Sequence, residues 1–205
     1  MSDERERELV RDELAADPIE QFNRWFDEAR AVGVPMPEAC AVATASADAA
    51  PSARMVLLKA AGARGFEFAT NYRSRKGRDL AANPHAALLF YWHALGRQVR
   101  VEGHVEVVDG SESDAIWNAR PRASRLSALA SEQTEPIEGR AELEARVEAL
   151  AAQHEGRDVE RPEWWGGYRV VPEALEFWQH RSDRLHHRFR YRRSGVSWEI
   201  DELQP

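Results

Sequence analysis

The chain has 205 residues and a formal net charge of -7, enough to bury the core of one ordinary to large domain and too acidic for general nucleic-acid binding, which leaves a basic footprint. Its longest uninterrupted apolar run, Ala86 to Trp92, is far short of the roughly 20 residues of a membrane span. The charged N-terminus lacks the apolar core of a signal peptide, and the lone Cys40 can form no internal disulfide, so the expectation is a cytoplasmic chain with no membrane partner and Cys40 as a small core residue.

Residues 2 to 15 are rich in acids and arginines, and read as a frayed or solvated helix without chemistry. Residues 1–16 are therefore set apart as a charged extension, and 17–205 as a single domain. Asp17-Pro18 supplies an N-cap followed by proline at the first helical position, and Phe22, Trp25, Phe26 and Ala29 recur at helical spacing up to Gly33. From Cys40 the texture changes to short strands: Ala41 to Thr44, Arg54 to Lys59, Phe66 to Thr70, His85 to Trp92 and Arg97 to Val108. A short helix ended by Asn83-Pro84 lies between the third and fourth. In the last strand Val99, Val101, Val105 and Val107 alternate with polar residues, with Gly103 as a bend or bulge. Ser111 to Asn118 and Gly139 to Gly156 read as helices, the first opening with a Ser-x-x-Asp cap and the second carrying Leu143, Val147 and Leu150 on one stripe. Arg120 and Arg122 flank a proline in a loop. After Pro162, strands are expected at Tyr168 to Val171, Leu175 to Gln179, Arg188 to Arg192 and Ser197 to Ile200. Tight turns and few intervening helices imply a mainly β fold, an antiparallel sheet closing into a small barrel with helices covering an open end.

One stretch stands out electrostatically. Between Arg54 and Arg78 there are seven basic residues, Arg54, Lys59, Arg64, Arg73, Arg75, Lys76 and Arg78, against the single acid Glu67. Met55 to Leu58 reads as a buried strand bracketed by cations. Ser74 stands at a helix N-cap with Arg75 and Lys76 in the first turn, so backbone N-H groups and two cations can meet one anionic group such as a phosphate. Solvated surface charge is the competing reading of this stretch.

Several spaced segments then combine: Arg54-Met-Val-Leu-Leu-Lys59, Phe68-Ala-Thr-Asn, Ser74-Arg-Lys76, Arg97-Gln98-Val, Arg120-Pro-Arg-x-Ser124, Trp165-Gly-Gly-Tyr-Arg169, Glu176-Phe-Trp-Gln179 and Arg184-Leu-His186-x-Arg188. In this order, from about Asp17 to the final Leu-Gln-Pro, they resemble the pyridoxine/pyridoxamine 5'-phosphate oxidase family. The resemblance implies an FMN-binding split β-barrel that works as a homodimer with flavin at the subunit interface. It implies FMN contacts at Arg54, Met55, Val56, Leu57, Leu58, Lys59, Thr70, Arg75, Lys76, Gln98, Gln133, Thr134, Trp178 and Arg188. It places the phosphate of a phosphorylated small-molecule substrate at Lys59, Arg120 and Ser124, and its ring at Arg184 and His186, the two residues expected nearest the chemistry.

The chain departs from the family pattern in three places. Ile116, followed by Trp117, stands where a tyrosine ligand of the substrate phosphate is usual, Ser127-Ala128-Leu129 replaces Gly-Ala-Trp, and Ala69 stands where a tyrosine is common. An oxidase of the same scaffold acting on another substrate, of the phenazine-biosynthesis type, and a non-catalytic flavin-binding module are the competing readings. No metal site is expected: His154, His180, His186 and His187 lack ligand spacing and lie in arginine-rich surroundings. His187 is read as a solvent-facing strand residue, and at least one of Trp164 and Trp165 as a packing residue.

Overall fold

Strands β1 (Ala39–Ala45), β2 (Pro51–Gly62), β3 (Gly65–Asn71), β4 (His85–Trp92), β5 (Arg97–Val107), β6 (Trp165–Gln179), β7 (His187–Ser194) and β8 (Ser197–Glu202) pair antiparallel in the order β3-β2-β1-β4-β5-β6-β7-β8. A β3–β6 pairing closes the first six into a barrel. The structure is a computed structural model and describes residues 5–205. Alternation decides which side chains fill the barrel: Val99, Val101 and Val105 of β5 and Leu88, Phe90 and Trp92 of β4 are buried, with their neighbours outward. Val107, expected to share this face, is exposed.

Helices α1 (Pro18–Ala31), α2 (Arg75–Ala82), α3 (Gly110–Asn118), α4 (Arg122–Ala130) and α5 (Arg140–Gln153) are peripheral. The Asp17 carboxylate caps α1 by accepting the Ile19 N-H, and α1 lays Phe22 against Phe66 and Phe90, with ring centroids 4.8 and 5.0 Å apart. Such edge-on aromatic contacts add to the area term, and truncating a fully buried Phe costs about 3–5 kcal/mol. A second apolar cluster, Trp117, Leu126, Val159 and Trp165, joins α3 and α4 to the barrel, with Val147 and Leu150 of α5 packed against it. Cys40 is buried in the main core, and burial pushes its thiol up to about 12.

Several expectations are corrected. The two strands Tyr168 to Val171 and Leu175 to Gln179 are one 15-residue strand, β6. Its first half pairs with β3 and its second with β7, and a register shift opposite Glu102/Gly103 accommodates Pro172, which has no N-H to give the ladder. Gly103 is needed there, because a Cβ would lie 2.0 Å from the Val171 carbonyl oxygen. Arg122, read as part of a loop, opens helix α4, whose Leu126 belongs to the second cluster, with Ala128 and Leu129 packed against it. Asp109, not Ser111, caps α3 by accepting the Glu112 N-H. The segment Met55 to Leu58 is not buried throughout: Leu58 is, but Met55 is 65% and Leu57 41% exposed. They lie on the outer face of β2, where Met55 registers with Ala41 and Ala41 with Leu89, itself exposed, so β2, β1 and β4 present an apolar exterior.

The expected helix over residues 2 to 15 falls partly on 2–4, outside the described residues. From residue 5 onward the segment contains a 3-10 turn at Arg11–Glu13 and lies on the barrel. Leu9 and Ala15 are buried, Gln179 Nε2 donates to the Arg5 carbonyl at 2.8 Å, and the Tyr191 hydroxyl donates to the Ala15 carbonyl at 2.7 Å. Among the described residues no helix is long and apolar enough to cross a membrane.

Candidate functional site

The basic stretch folds as β2, the hairpin to β3, and α2, and it lines a cavity of about 490 Å³ with Met55, Val56, Ala69, Thr70, Asn71 and Lys76. The far wall comes from Arg120, Ser124, Ser131, Gln133 and Trp165, a size and mixture suited to a small-molecule ligand. Ser74 caps α2 by accepting the Gly77 N-H, which turns the first helical amides and their dipole toward this region. Lys76 is buried, and its ammonium donates to Thr70 Oγ1 and Gln133 Oε1, both at 2.8 Å, and to Ser74 Oγ at 3.4 Å. All three partners are uncharged. Burial, and then the nearby Arg54 charge, lower the Lys76 pKa to about 8. Arg54, half-buried, is also lowered by burial, despite Asp79. Arg75 is exposed at the helix start, and its N-H donates to Thr134 Oγ1 at 2.9 Å. A buried ammonium held by neutral groups in the first turn of a helix, with the guanidinium charge of Arg54 close by, is a donor set for a phosphate, so the residues present fit the phosphate end of FMN. Val56, Ala69 and Trp165 supply apolar wall for a flat ring system.

Arg120 lies, as expected, in the short loop joining α3 and α4, and its side chain is half-buried there. Its guanidinium lies over Trp165 and Trp117, at 5.0 and 5.8 Å from the ring centroids, and donates to the Ser124 carbonyl at 2.9 Å. Its Nε is buried with no hydrogen-bond partner, and burial lowers its pKa. Arg120 is shared with a second cavity of about 470 Å³ that also holds Lys59, Glu67, Glu112 and Ile116. Glu67 and Glu112 are both bound by Arg169, at 2.8 Å each, so these carboxylates are compensated rather than facing the cations. Lys59 and Arg120 therefore provide the cations of the second cavity, and Arg120 belongs to both.

The remaining expected residues form a separate group. Gln98, Trp178 and Arg188 are adjacent across β5, β6 and β7. Arg188 donates through Nε to one oxygen of Glu176 at 2.8 Å, its Nη2 forms an ion pair with the same oxygen at 2.8 Å, and Glu176 also accepts from Arg100 at 2.6 Å. The His186 ring lies 4.5 Å from Trp178, and its Nδ1 accepts the Arg181 N-H at 3.1 Å, which assigns the proton of the neutral ring to Nε2. Burial, then His180 and Arg184, lower the His186 pKa. Arg184 is exposed with φ 70°, and Thr134 has φ 79°, two of the four non-glycine residues with positive φ among those described. Strained backbone of this kind persists where the surroundings over-determine it, and it clusters at ligand sites.

None of Gln98, Trp178, Arg184, His186 or Arg188 lines the first cavity. One chain thus brings together Met55, Val56, Thr70, Lys76, Arg120, Ser124 and Gln133 around the first cavity, with Arg54, Arg75, Thr134 and Lys59 nearby, while Leu57 lies on the outer face of β2, Leu58 lies in the core, and the second group stands apart. His187 is half-buried, with its Nε2 out of solvent, rather than facing solvent as expected. Trp165 is packed against Trp117 at 4.8 Å, and Trp164 meets Arg73. Sequence reasoning missed the support of Arg54 by Thr44, Ser52 and Asp79. The spacing of Asp79 four residues after Arg75 on one helix was the available signal.

Residues 26–154 match the family model described as pyridoxamine 5'-phosphate oxidase, and residues 165–205 the one described as the pyridoxine 5'-phosphate oxidase C-terminal dimerisation region. A pyridoxine/pyridoxamine 5'-phosphate oxidase of Bordetella petrii is 54% identical over 198 residues, covering 96% of this chain and 93% of its own length. One of Thermosynechococcus vestitus is 52% identical, covering 99% and 96%. Among solved structures, PhzG of Burkholderia lata 383, in complex with tetrahydrophenazine-1-carboxylic acid, superposes with a TM-score of 0.92 at 35% identity, covering 98% of this chain and all of that one. An FMN-binding protein of Nostoc punctiforme, at 17% identity and TM-score 0.72, shares the fold.

Proposed function

Because the chain belongs to the pyridoxine/pyridoxamine 5'-phosphate oxidase family, we infer that it oxidises pyridoxamine 5'-phosphate or pyridoxine 5'-phosphate to pyridoxal 5'-phosphate, with dioxygen as acceptor and hydrogen peroxide as by-product. It is a homodimeric flavoprotein. When bound, FMN would supply the redox chemistry that couples oxidation of the substrate carbon to reduction of dioxygen, with the residues of this chain binding and orienting both partners. The observation that carries the reading is the presence of two cation groups, Lys76 on the first cavity with the Arg54 charge close by, and Lys59 with Arg120 on a second cavity that shares Arg120 with the first. Two phosphates, one of the cofactor and one of the substrate, need two such groups.

In this reading Arg54, Arg75, Lys76 and the α2 amides hold the flavin phosphate, while Thr70, Gln133 and Thr134 fix the ammonium and the helix start. Met55 to Leu58 lie along the flavin, and Lys59, Arg120 and Ser124 hold the substrate phosphate. Gln98, Trp178, Arg184, His186 and Arg188 come from the partner subunit and complete the pocket from the other side. Arg184 orients the pyridine ring and the reacting carbon. His186, neutral with its Nε2-H outward, donates a hydrogen bond to the ring rather than acting as an obligatory base. Free buried Cys40 accords with a cytoplasmic enzyme.

Oxygen uptake by FMN-loaded protein with each of the two phosphates tests the assignment, and absence of turnover with both would defeat it. Ile116, which offers the second cavity no hydroxyl, favours as a second reading an oxidase of the PhzG kind, which the same assay separates.

A further inference from the structure

Arg54 is not held by a simple ion pair. Its Nη1 donates to Thr44 Oγ1 at 2.7 Å and its Nη2 to Ser52 Oγ. Each of those hydroxyls also bonds the same oxygen of Asp79, Thr44 at 2.6 Å and Ser52 at 3.0 Å, while the guanidinium itself stays 3.8 Å from that oxygen. Asp79 is buried and belongs to α2, the helix whose first turn carries Arg75 and Lys76. Resting on the reading of Arg54 as a ligand of the flavin phosphate, we propose that Asp79 is the positioning residue of that site, orienting Arg54 through the paired hydroxyls of Thr44 and Ser52.

The chemistry follows from donor and acceptor counting. An ionised carboxylate can only accept, so both hydroxyls must spend their single protons on Asp79 and turn lone pairs toward the guanidinium. The two N-H groups on that edge of Arg54 are thereby fixed, Nη1 also donates to the Val42 carbonyl at 3.4 Å, and Nε with the other N-H of Nη2 are left for a ligand. The arrangement also links β1, β2 and α2, so Arg54 is placed relative to Lys76 by the helix that carries Lys76. Burial raises the Asp79 pKa, but the hydroxyls of Thr44 and Ser52 and the charges of Arg54 and Arg75 outweigh it and hold the carboxyl below its usual range. Asp79 is therefore ionised at neutral pH. An asparagine would present an NH2 group to the hydroxyls, allow them to reverse, and aim protons at the guanidinium.

The proposal and a purely electrostatic role differ in sign. If Asp79 acted only through its charge, removing it from a basic site would tighten phosphate binding. If it orients Arg54, removal weakens it. The test is titration of apo-protein with FMN, followed by quenching of flavin fluorescence, for wild type, D79N, R54A and the double variant. D79N is expected to raise the Kd tenfold or more, and to add less than twofold to R54A. T44V/S52A, which keeps the charge and removes the two hydroxyls, should match D79N, and decides the matter if D79N does not fold. Riboflavin, which has no phosphate, should bind wild type and D79N alike. Unchanged or tighter FMN binding in D79N, or a full tenfold effect on top of R54A, overturns the proposal while R54A remains impaired. An R54A variant that binds FMN like wild type overturns the underlying assignment of Arg54 as well.

Discussion

Lys76 offers the sharpest quantitative check on the proposed flavin-phosphate site. Its ammonium is buried among Thr70, Ser74 and Gln133, and burial with the neighbouring Arg54 lowers its pKa to about 8. A phosphate dianion favours the charged form, so the pKa must rise on binding FMN. Below pH 8 Lys76 is protonated with or without ligand, and affinity is flat on its account. Above pH 8 binding must take up a proton, and Kd should rise about tenfold per pH unit until the pKa of the complex is reached, or about 1.4 kcal/mol by pH 9. On the acid side protonation of the phosphate, with a second pKa of about 6, weakens binding. FMN titrations of apo-protein from pH 6.5 to 9.5 should therefore give a plateau with a falling alkaline limb. Lys76→Met removes a charge-assisted hydrogen bond, worth about 1.5–3 kcal/mol, and should flatten that limb. A wild type whose Kd is constant from pH 7 to 9.5, or a K76M variant that keeps the limb, would refute the argument.

Other perturbations address the remaining parts of the site. Arg184→Ala should lower turnover by roughly 100-fold or more with FMN still bound; loss of the flavin absorbance instead would show that cofactor and substrate residues have been partitioned wrongly. Ile116→Tyr restores a hydroxyl to the cavity of Lys59 and Arg120, and a hydrogen bond worth about 1 kcal/mol should lower KM roughly fivefold with kcat unchanged. Leu57→Asp on the apolar exterior of β2 should yield monomers in sedimentation velocity and abolish tight FMN binding, whereas a stable dimer would place the interface elsewhere. Gly103→Ala puts a Cβ 2.0 Å from the Val171 carbonyl oxygen and should cost about 3 kcal/mol, or about 6–12 °C of melting temperature; an unchanged melting curve would show that β6 can shift at its bulge.

How much of this was legible in the sequence depends on the range of the interactions involved. Local chemistry read through: the Asp17 and Ser74 caps, the alternation of β5 and the bulge at Gly103 are all set within a few residues. The continuity of β6 did not, because Pro172 reads as a strand breaker and only the register shift against β5 shows where its missing N-H is tolerated. Helix α4 lacks a side-chain cap, and its short apolar stripe acquires meaning from Trp117 and Trp165, which are distant in sequence. Met55 and Leu57 look like core because they are apolar, yet what they face within one chain is solvent. Among the site residues, the basic stretch was visible from charge alone. The grouping of Gln98, Trp178 and Arg188 came only from resemblance, since three residues on three strands share no spacing.

That grouping also bears on why the enzyme must be a dimer. Thr70 of the first group registers with Gly166 on β6, whereas Trp178 of the second lies twelve residues farther along the same strand, roughly 35–40 Å of extended chain at about 3.3 Å per residue. Barrel curvature shortens that path but cannot fold one strand back on itself. Under the proposed assignment, the phosphate-binding cations and the Trp178–His186 ring pair serve one ligand only if they come from different subunits. A two-fold axis supplies this without new residues, because each surface is present on both chains and every contact occurs twice. The exposed apolar strip of Met55, Leu57 and Leu89 begins at the rim of the cavity, through Met55, so a partner that buried it would also close the proposed flavin site. In this arrangement cofactor binding and subunit association stabilise each other, and a ligand bound only by the assembled pair strengthens the pair by mass action.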